Sequence, residues 1–120
     1  VDCRRTWAPT MRHIAVEGRC FVLSACQYAR RSDFPADYPI EAQTDEVLID
    51  GGSLIVSPMG DILAGPNYDA ECILTAEIDR NLIAGGKFDL DVVGHYARPD
   101  IFQLQVDERE KPAVVYGAKL

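Results

Sequence analysis

The segment Cys20–Gln27, C-F-V-L-S-A-C-Q, constrains the fold of this chain more than any other stretch. It is apolar at successive positions and rich in β-formers, the pattern of a strand covered on both faces. It also follows directly on a helical pattern. Trp7, Met11, Ile14 and Ala15 recur at helical spacing, while Arg12, His13, Glu17 and Arg19 take other faces. The spacing predicts a helix over Trp7–Arg19, with Thr6 as N-cap, Pro9 in the first turn and Gly18 as the stop. A helix running into a doubly covered strand predicts a layered α/β architecture. Such a strand needs neighbours and covering layers, and few other strands are on offer.

Downstream, Tyr28–Asp50 reads as a long surface loop, with Arg30, Arg31, Pro35, Pro39 and several carboxylates. Loops of that length in compact domains usually serve as lids or contact surfaces. Ser53–Ser57 is a predicted strand, Pro58–Asp61 a turn, and Ile62–Ala64 the return of a hairpin. A second turn is predicted at Gly65–Asn67, then a strand over Cys72–Ile78. Asp79 is placed to cap a short helix from Arg80 to Ala84, ended by Gly85 and Gly86. Lys87–Pro99 reads as irregular, Ile101–Val106 as a last strand, and residues 107–120 as a charged tail.

The chain has 120 residues, which predicts one domain. Hydrophobic residues make up 48% and charged residues 26%, a balance that excludes a disordered chain. The net charge of −7 opposes non-specific binding to nucleic acid or anionic membrane, both polyanions. The longest runs without charge, Cys20–Ala29 and Gly51–Gly60, reach 10 residues each, well short of the ~20 that cross a bilayer. No signal-peptide pattern opens the chain. It begins at Val1 and enters almost at once on Trp7, which reads as a cut through a larger protein. Cys3, Cys20, Cys26 and Cys72 form no C-x-x-C pair. Three of them lie in apolar runs, predicting reduced, buried thiols and a cytoplasmic setting.

No group of residues here makes a convincing reaction centre. Cys26 could serve as nucleophile with His95 or His13 as base, but no local motif ties them, and packing explains a cysteine at a strand end. His13 and Glu17, four apart on the helix, suit an ion pair better than a metal site. The carboxylate pairs Asp89/Asp91 and Glu108/Glu110 lie in polar stretches where charges are normally solvated. Gly51, Gly52, Gly85 and Gly86 lack the spacing of a phosphate-binding loop and read as turn and helix-end glycines.

Four stretches nevertheless form a pattern. Thr6–Gln27 (T-W-A-P-T-M-R-H-I-A-V-E-G-R-C-F-V-L-S-A-C-Q) resembles the segment that follows the nucleophile region in nitrilases. Gly51–Pro66 (G-G-S-L-I-V-S-P-M-G-D-I-L-A-G-P) resembles that family's hairpin. Ala76–Asp79 (A-E-I-D) and Asp91–Phe102 (D-V-V-G-H-Y-A-R-P-D-I-F) are similar to its carboxy-terminal signature. The matches come in the family's order from Thr6 to about Leu104.

The resemblance implies an α/β fold, the α-β-β-α sandwich of nitrilases, with only the carboxy-terminal portion present. Residues 1–120 would be one partial carbon–nitrogen hydrolase domain ending in the 107–120 tail. It implies conversion of nitriles to carboxylic acid and ammonia. A cysteine thiolate attacks the nitrile carbon, a lysine stabilises the developing charge, and a glutamate acts as general base. In the family all three precede the segment that Thr6–Gln27 resembles, so none is carried over to a position here. Cys3 and Cys26 both lack the C-W-E context of the family's nucleophile. Cys26, Gln27, His95 and Tyr96 become candidates for the substrate-pocket wall, and Arg12, His13 and Glu17 for a subunit interface. The family's dimers and spirals imply a homo-oligomer. No cofactor, metal, nucleic-acid or membrane partner is implied. The alternative is a non-catalytic oligomerisation or scaffold protein derived from a nitrilase.

Overall fold

A computed structural model describes residues 3–43, 45–112 and 114. Helix α1 spans Arg4–Gly18, followed by strands β1 (Val22–Ser24) and β2 (Tyr28–Arg30) and a 3-10 turn at Arg31–Asp33. Strands β3 (Val47–Val56) and β4 (Ile62–Tyr68) form a hairpin, and helix α2 covers Asn81–Asp89. The result is a small mixed helix and sheet unit, in keeping with the α/β class. Of the predicted tail, residue 113 and residues 115–120 lie outside the described residues.

The long strand β3 organises the sheet. β4 pairs with it antiparallel along one edge, and β1 and β2 pair antiparallel with its two halves. The register is continuous across the gap between β1 and β2: Val22 faces Val56, Ser24 faces Leu54, Tyr28 faces Asp50 and Ala29 faces Ile49. The predicted strand at Cys20–Gln27 is therefore one strand broken at Ala25–Gln27 and resumed at Tyr28. The break lies opposite Gly51 and Gly52, whose φ angles of 89° and 111° lie in the region open to glycine. These glycines are not turn residues but a distortion inside β3. Tyr28–Arg30 and Val47–Asp50, predicted as loop, belong to the sheet.

Helix α1 covers one face of this sheet. Trp7, Ala8, Met11 and Val22 pack around the buried Ala15, Leu54 and Val56. Ile14, predicted for the stripe, is exposed instead. The helix starts earlier than predicted, and Thr6 lies inside it, its hydroxyl donating to the Cys3 carbonyl. Pro9 consequently falls in the second turn, where it offers no N–H to the Arg5 carbonyl. The end comes at Arg19, left-handed at φ 47°, rather than at Gly18. Arg19 is buried against the second helix: its guanidinium donates to Asp89 at 3.0 Å, and Gly86 leaves room for its side-chain stem.

The opposite sheet face is less covered. Leu23 is 65% exposed, although Ile55 beside it is buried. β1 is thus not covered on both faces by the described residues. The predicted strands at Cys72–Ile78 and Ile101–Val106 are irregular, because among the described residues no strand runs alongside them to form a ladder. Gly65–Asn67 forms no second turn but continues β4, and a Cβ at Gly65 would collide with the Ser53 carbonyl. Asp79 does accept from the Asn81 N–H at 2.9 Å, yet α2 runs through Gly85 and Gly86 to Asp89. Cys20 and Cys26 are half-buried and Cys72 is exposed, so the cysteines are less enclosed than their apolar neighbours suggest.

Candidate functional site

The break between β1 and β2 opens a concavity of about 380 Å³, lined by Cys26, Gln27, Tyr28, Ser53, Asn67 and Glu71 among others. Ordinary ladder bonds are missing at the break, and a side chain takes their place. The Cys26 N–H donates to Ser53 Oγ at 2.9 Å, and the Ser53 hydroxyl sits 3.2 Å from the Cys26 carbonyl, to which it donates. Asn67 faces Ser53 across the β3–β4 ladder and donates from Nδ2 to the Ala70 carbonyl at 2.8 Å, holding the chain that leads to Glu71.

The Cys26 thiol lies close to Gly52 of β3. Its sulfur is 3.9 Å from the Ser24 hydroxyl. A Cβ added at Gly52 would sit 3.1 Å from the Tyr68 ring, 3.4 Å from Trp7 and 3.8 Å from this sulfur. Gly52 is therefore the point at which two rings and the thiol meet. Above them, Arg4 stacks on Tyr68 at 4.7 Å and pairs with Asp50 at 2.8 Å and Asp69 at 2.5 Å, which raises its pKa further above the usual arginine range.

His95 and Tyr96 stand apart from this concavity and do not line it. The His95 side chain is 91% exposed, and its Nδ1 lies 2.9 Å from an Asp91 carboxylate oxygen. That carboxylate also accepts the backbone N–H groups of Val93, Gly94 and His95. The His95 hydrogen bond, aided by these N–H donors, holds the Asp91 carboxyl below the usual aspartate range. The structure thus brings Cys26 and Gln27 together at one wall and places His95 and Tyr96 on a separate exposed turn. Asp89 and Asp91 engage Arg19 and His95 respectively and do not face each other as an acid–base pair.

The interface candidates divide as well. Arg12 turns inward, donating from Nε to the Gly60 carbonyl in the β3–β4 turn at 2.7 Å. His13 and Glu17 point outward, 3.3 Å apart, both largely exposed. Among the described residues no group of three His, Cys, Asp or Glu side chains is placed to hold a metal ion. Nor is any described helix long and apolar enough to cross a membrane.

Sequence reasoning missed Ser53, Asn67 and Glu71. The available signal was the Gly51-Gly52 pair within an otherwise strand-like stretch, which marks a distortion or a close approach as readily as a turn.

The carbon–nitrogen hydrolase family model matches residues 4–88, from the start of α1 to near the end of α2. The chain belongs to the carbon–nitrogen hydrolase family. Its relatives in that family include an aliphatic nitrilase of Sinorhizobium fredii, 59% identical over 98% of this chain and 39% of the relative. A nitrilase of Bradyrhizobium diazoefficiens is 56% identical over 94% of the chain and 36% of its own length. An arylacetonitrilase of Trametes versicolor is 52% identical with the same coverage. The chain therefore spans less than two-fifths of the length of these carbon–nitrogen hydrolases. The matched region takes in every residue around the strand break, whereas the His95–Tyr96 turn lies beyond it.

Proposed function

We propose that this chain is the carboxy-terminal part of a nitrilase, a hydrolase that converts a nitrile and two waters into a carboxylic acid and ammonia. The observation that carries the reading is the 59% identity to an aliphatic nitrilase along nearly the whole chain. The nucleophilic thiolate, the charge-stabilising lysine and the general-base glutamate belong to residues outside these 120. The chain adds a pocket wall at Cys26–Gln27, with the His95–Tyr96 turn approaching it once the remaining layers are in place. The α-β-β-α sandwich is completed by those layers, against the sheet face on which Leu23 lies open. His13 and Glu17 face a second subunit in a cytoplasmic homo-oligomer, with Arg12 bracing the β3–β4 turn beside them, and the reaction uses no cofactor.

Two features support assigning the reactive groups elsewhere. Cys26 has no histidine beside it at the concavity, and its thiol has the Ser24 hydroxyl, 3.9 Å away, as its neighbour. Ammonia release from aliphatic and aromatic nitriles tests the proposal. The complete gene product is expected to release ammonia, whereas the isolated 120-residue chain and its Cys26→Ala variant release none. Cysteine-dependent turnover by the isolated chain would move the chemistry to Cys26. Reading the gene on both sides of this segment separates the nitrilase from a non-catalytic scaffold, since only the former carries the glutamate, lysine and C-W-E cysteine ahead of it.

A further inference from the structure

The hydrogen bonds at the strand break carry an assignment beyond the hydrolase reading. β1 and β2 keep one register on either side of Ala25–Gln27, so the intervening residues would ladder onto Gly51–Ser53 if β3 were regular. It is not regular there, because Gly51 and Gly52 take positive φ and β3 shifts its register against β4 between Gly51 and Ser53. A peptide left unpaired at that point would lose both its N–H and its C=O partners, a costly loss in a partly enclosed site. One side chain restores both, since the Ser53 hydroxyl accepts from the Cys26 N–H and donates to the Cys26 carbonyl. Ser53 itself lines the concavity together with Cys26 and Gln27.

We infer that Ser53 is a positioning residue, whose hydroxyl stands in for the broken ladder and fixes the Cys26 peptide, and through it Gln27, as a wall of the substrate pocket. The substrate-pocket part of this inference rests on the nitrilase reading above. The hold on the Cys26 peptide does not. Ser53 touches no reacting atom; it acts through the placement of its neighbours.

The complete gene product is compared with its Ser53→Ala and Ser53→Thr variants. Amide hydrogen exchange at Cys26 and Gln27 is measured by NMR alongside nitrile-hydrolysis kinetics and thermal midpoints. In Ser53→Ala the Cys26 amide is expected to exchange about tenfold faster, in line with the loss of one hydrogen bond. KM is expected to rise several-fold, with kcat less affected. Ser53→Thr, which keeps the hydroxyl, restores both. Unchanged Cys26 exchange in Ser53→Ala overturns the inference. So does a fall in both kcat and thermal midpoint with no change in KM and no rescue by threonine, which would make Ser53 merely structural. Should wild-type protein hydrolyse no nitrile, the nitrilase reading falls, while faster Cys26 exchange in Ser53→Ala still upholds the hydroxyl's hold on that peptide.

Discussion

At the scale of single residues, this chain spends several side chains on closing its own backbone. Arg31 is the clearest case after Ser53: its guanidinium donates to the carbonyls of Phe34, Pro35, Ala36, Tyr38 and Ile40, curling the loop after β2 around one cation. Asp91 performs the same task with opposite charge, gathering three N–H groups and the His95 ring. The latter has a pH signature. The folded-state pKa of Asp91 lies below its ordinary value of 3.8, so the ionised carboxylate favours the folded turn. That contribution is fully present above the unfolded value and is lost as pH falls through the lower, folded one. Carboxyl ¹³C NMR is expected to show Asp91 titrating below an unperturbed aspartate, and His95→Ala to move its midpoint back up. An Asp91 midpoint at the ordinary value would show that the turn does not hold in solution.

At the scale of elements, the sequence revealed what local chemistry decides and obscured what depends on partners. Helix α1 was legible because Trp7, Met11 and Ala15 repeat at a period that only a helix satisfies. The β3–β4 turn was legible from Pro58-Met59-Gly60, where Gly60 takes φ 85°. The strand expected at Cys72–Ile78 was not found, since its apolar run carries strand propensity but a strand exists only beside another. The break at Cys26 was hidden for a related reason: apolar residues continue through it, and its cause lies in two glycines some 25 positions away. The site was legible only to the extent that Cys26 and Gln27 were singled out at a strand end; Ser53 looked like any strand residue. One comparison tests how these layers pack in the complete protein. Leu54 is fully buried under α1, so Leu54→Ala is expected to cost about 2–5 kcal/mol in chemical denaturation. Leu23 lies on the other face, 65% exposed within this chain. If further layers cover that face, Leu23→Ala will cost a comparable amount in the complete protein. If the face stays in water, the change will remain within about 0.5 kcal/mol.

At the scale of the whole molecule, the dimensions argue that this segment is organised for company. Its radius of gyration is 21.0 Å, against about 14 Å for a compact domain of 120 residues. Its accessible surface is 9976 Å², where a folded monomer of its mass would present about 6,500 Å². The exposed side chains account for the excess: Ile73, Phe88, Val93, Phe102 and Leu104 are all more than 70% open to solvent, and among the described residues the buried hydrophobic core is small, with Ala15, Ala29, Leu54, Ile55 and Val56. Burial of that size cannot offset the conformational entropy of ordering so long a chain, since each residue fixed costs about 1–2 kcal/mol. The 120-residue chain expressed alone is therefore expected to unfold without a cooperative transition, and to bind a dye specific for exposed apolar surface. Supplying the rest of the polypeptide as a separate chain should restore a cooperative melt and displace the dye, because the same apolar faces then find their covering layers. A sharp, two-state melt of the isolated chain, with no dye bound, would mean that these faces cover one another, and that the extended shape is not the one the chain keeps in solution.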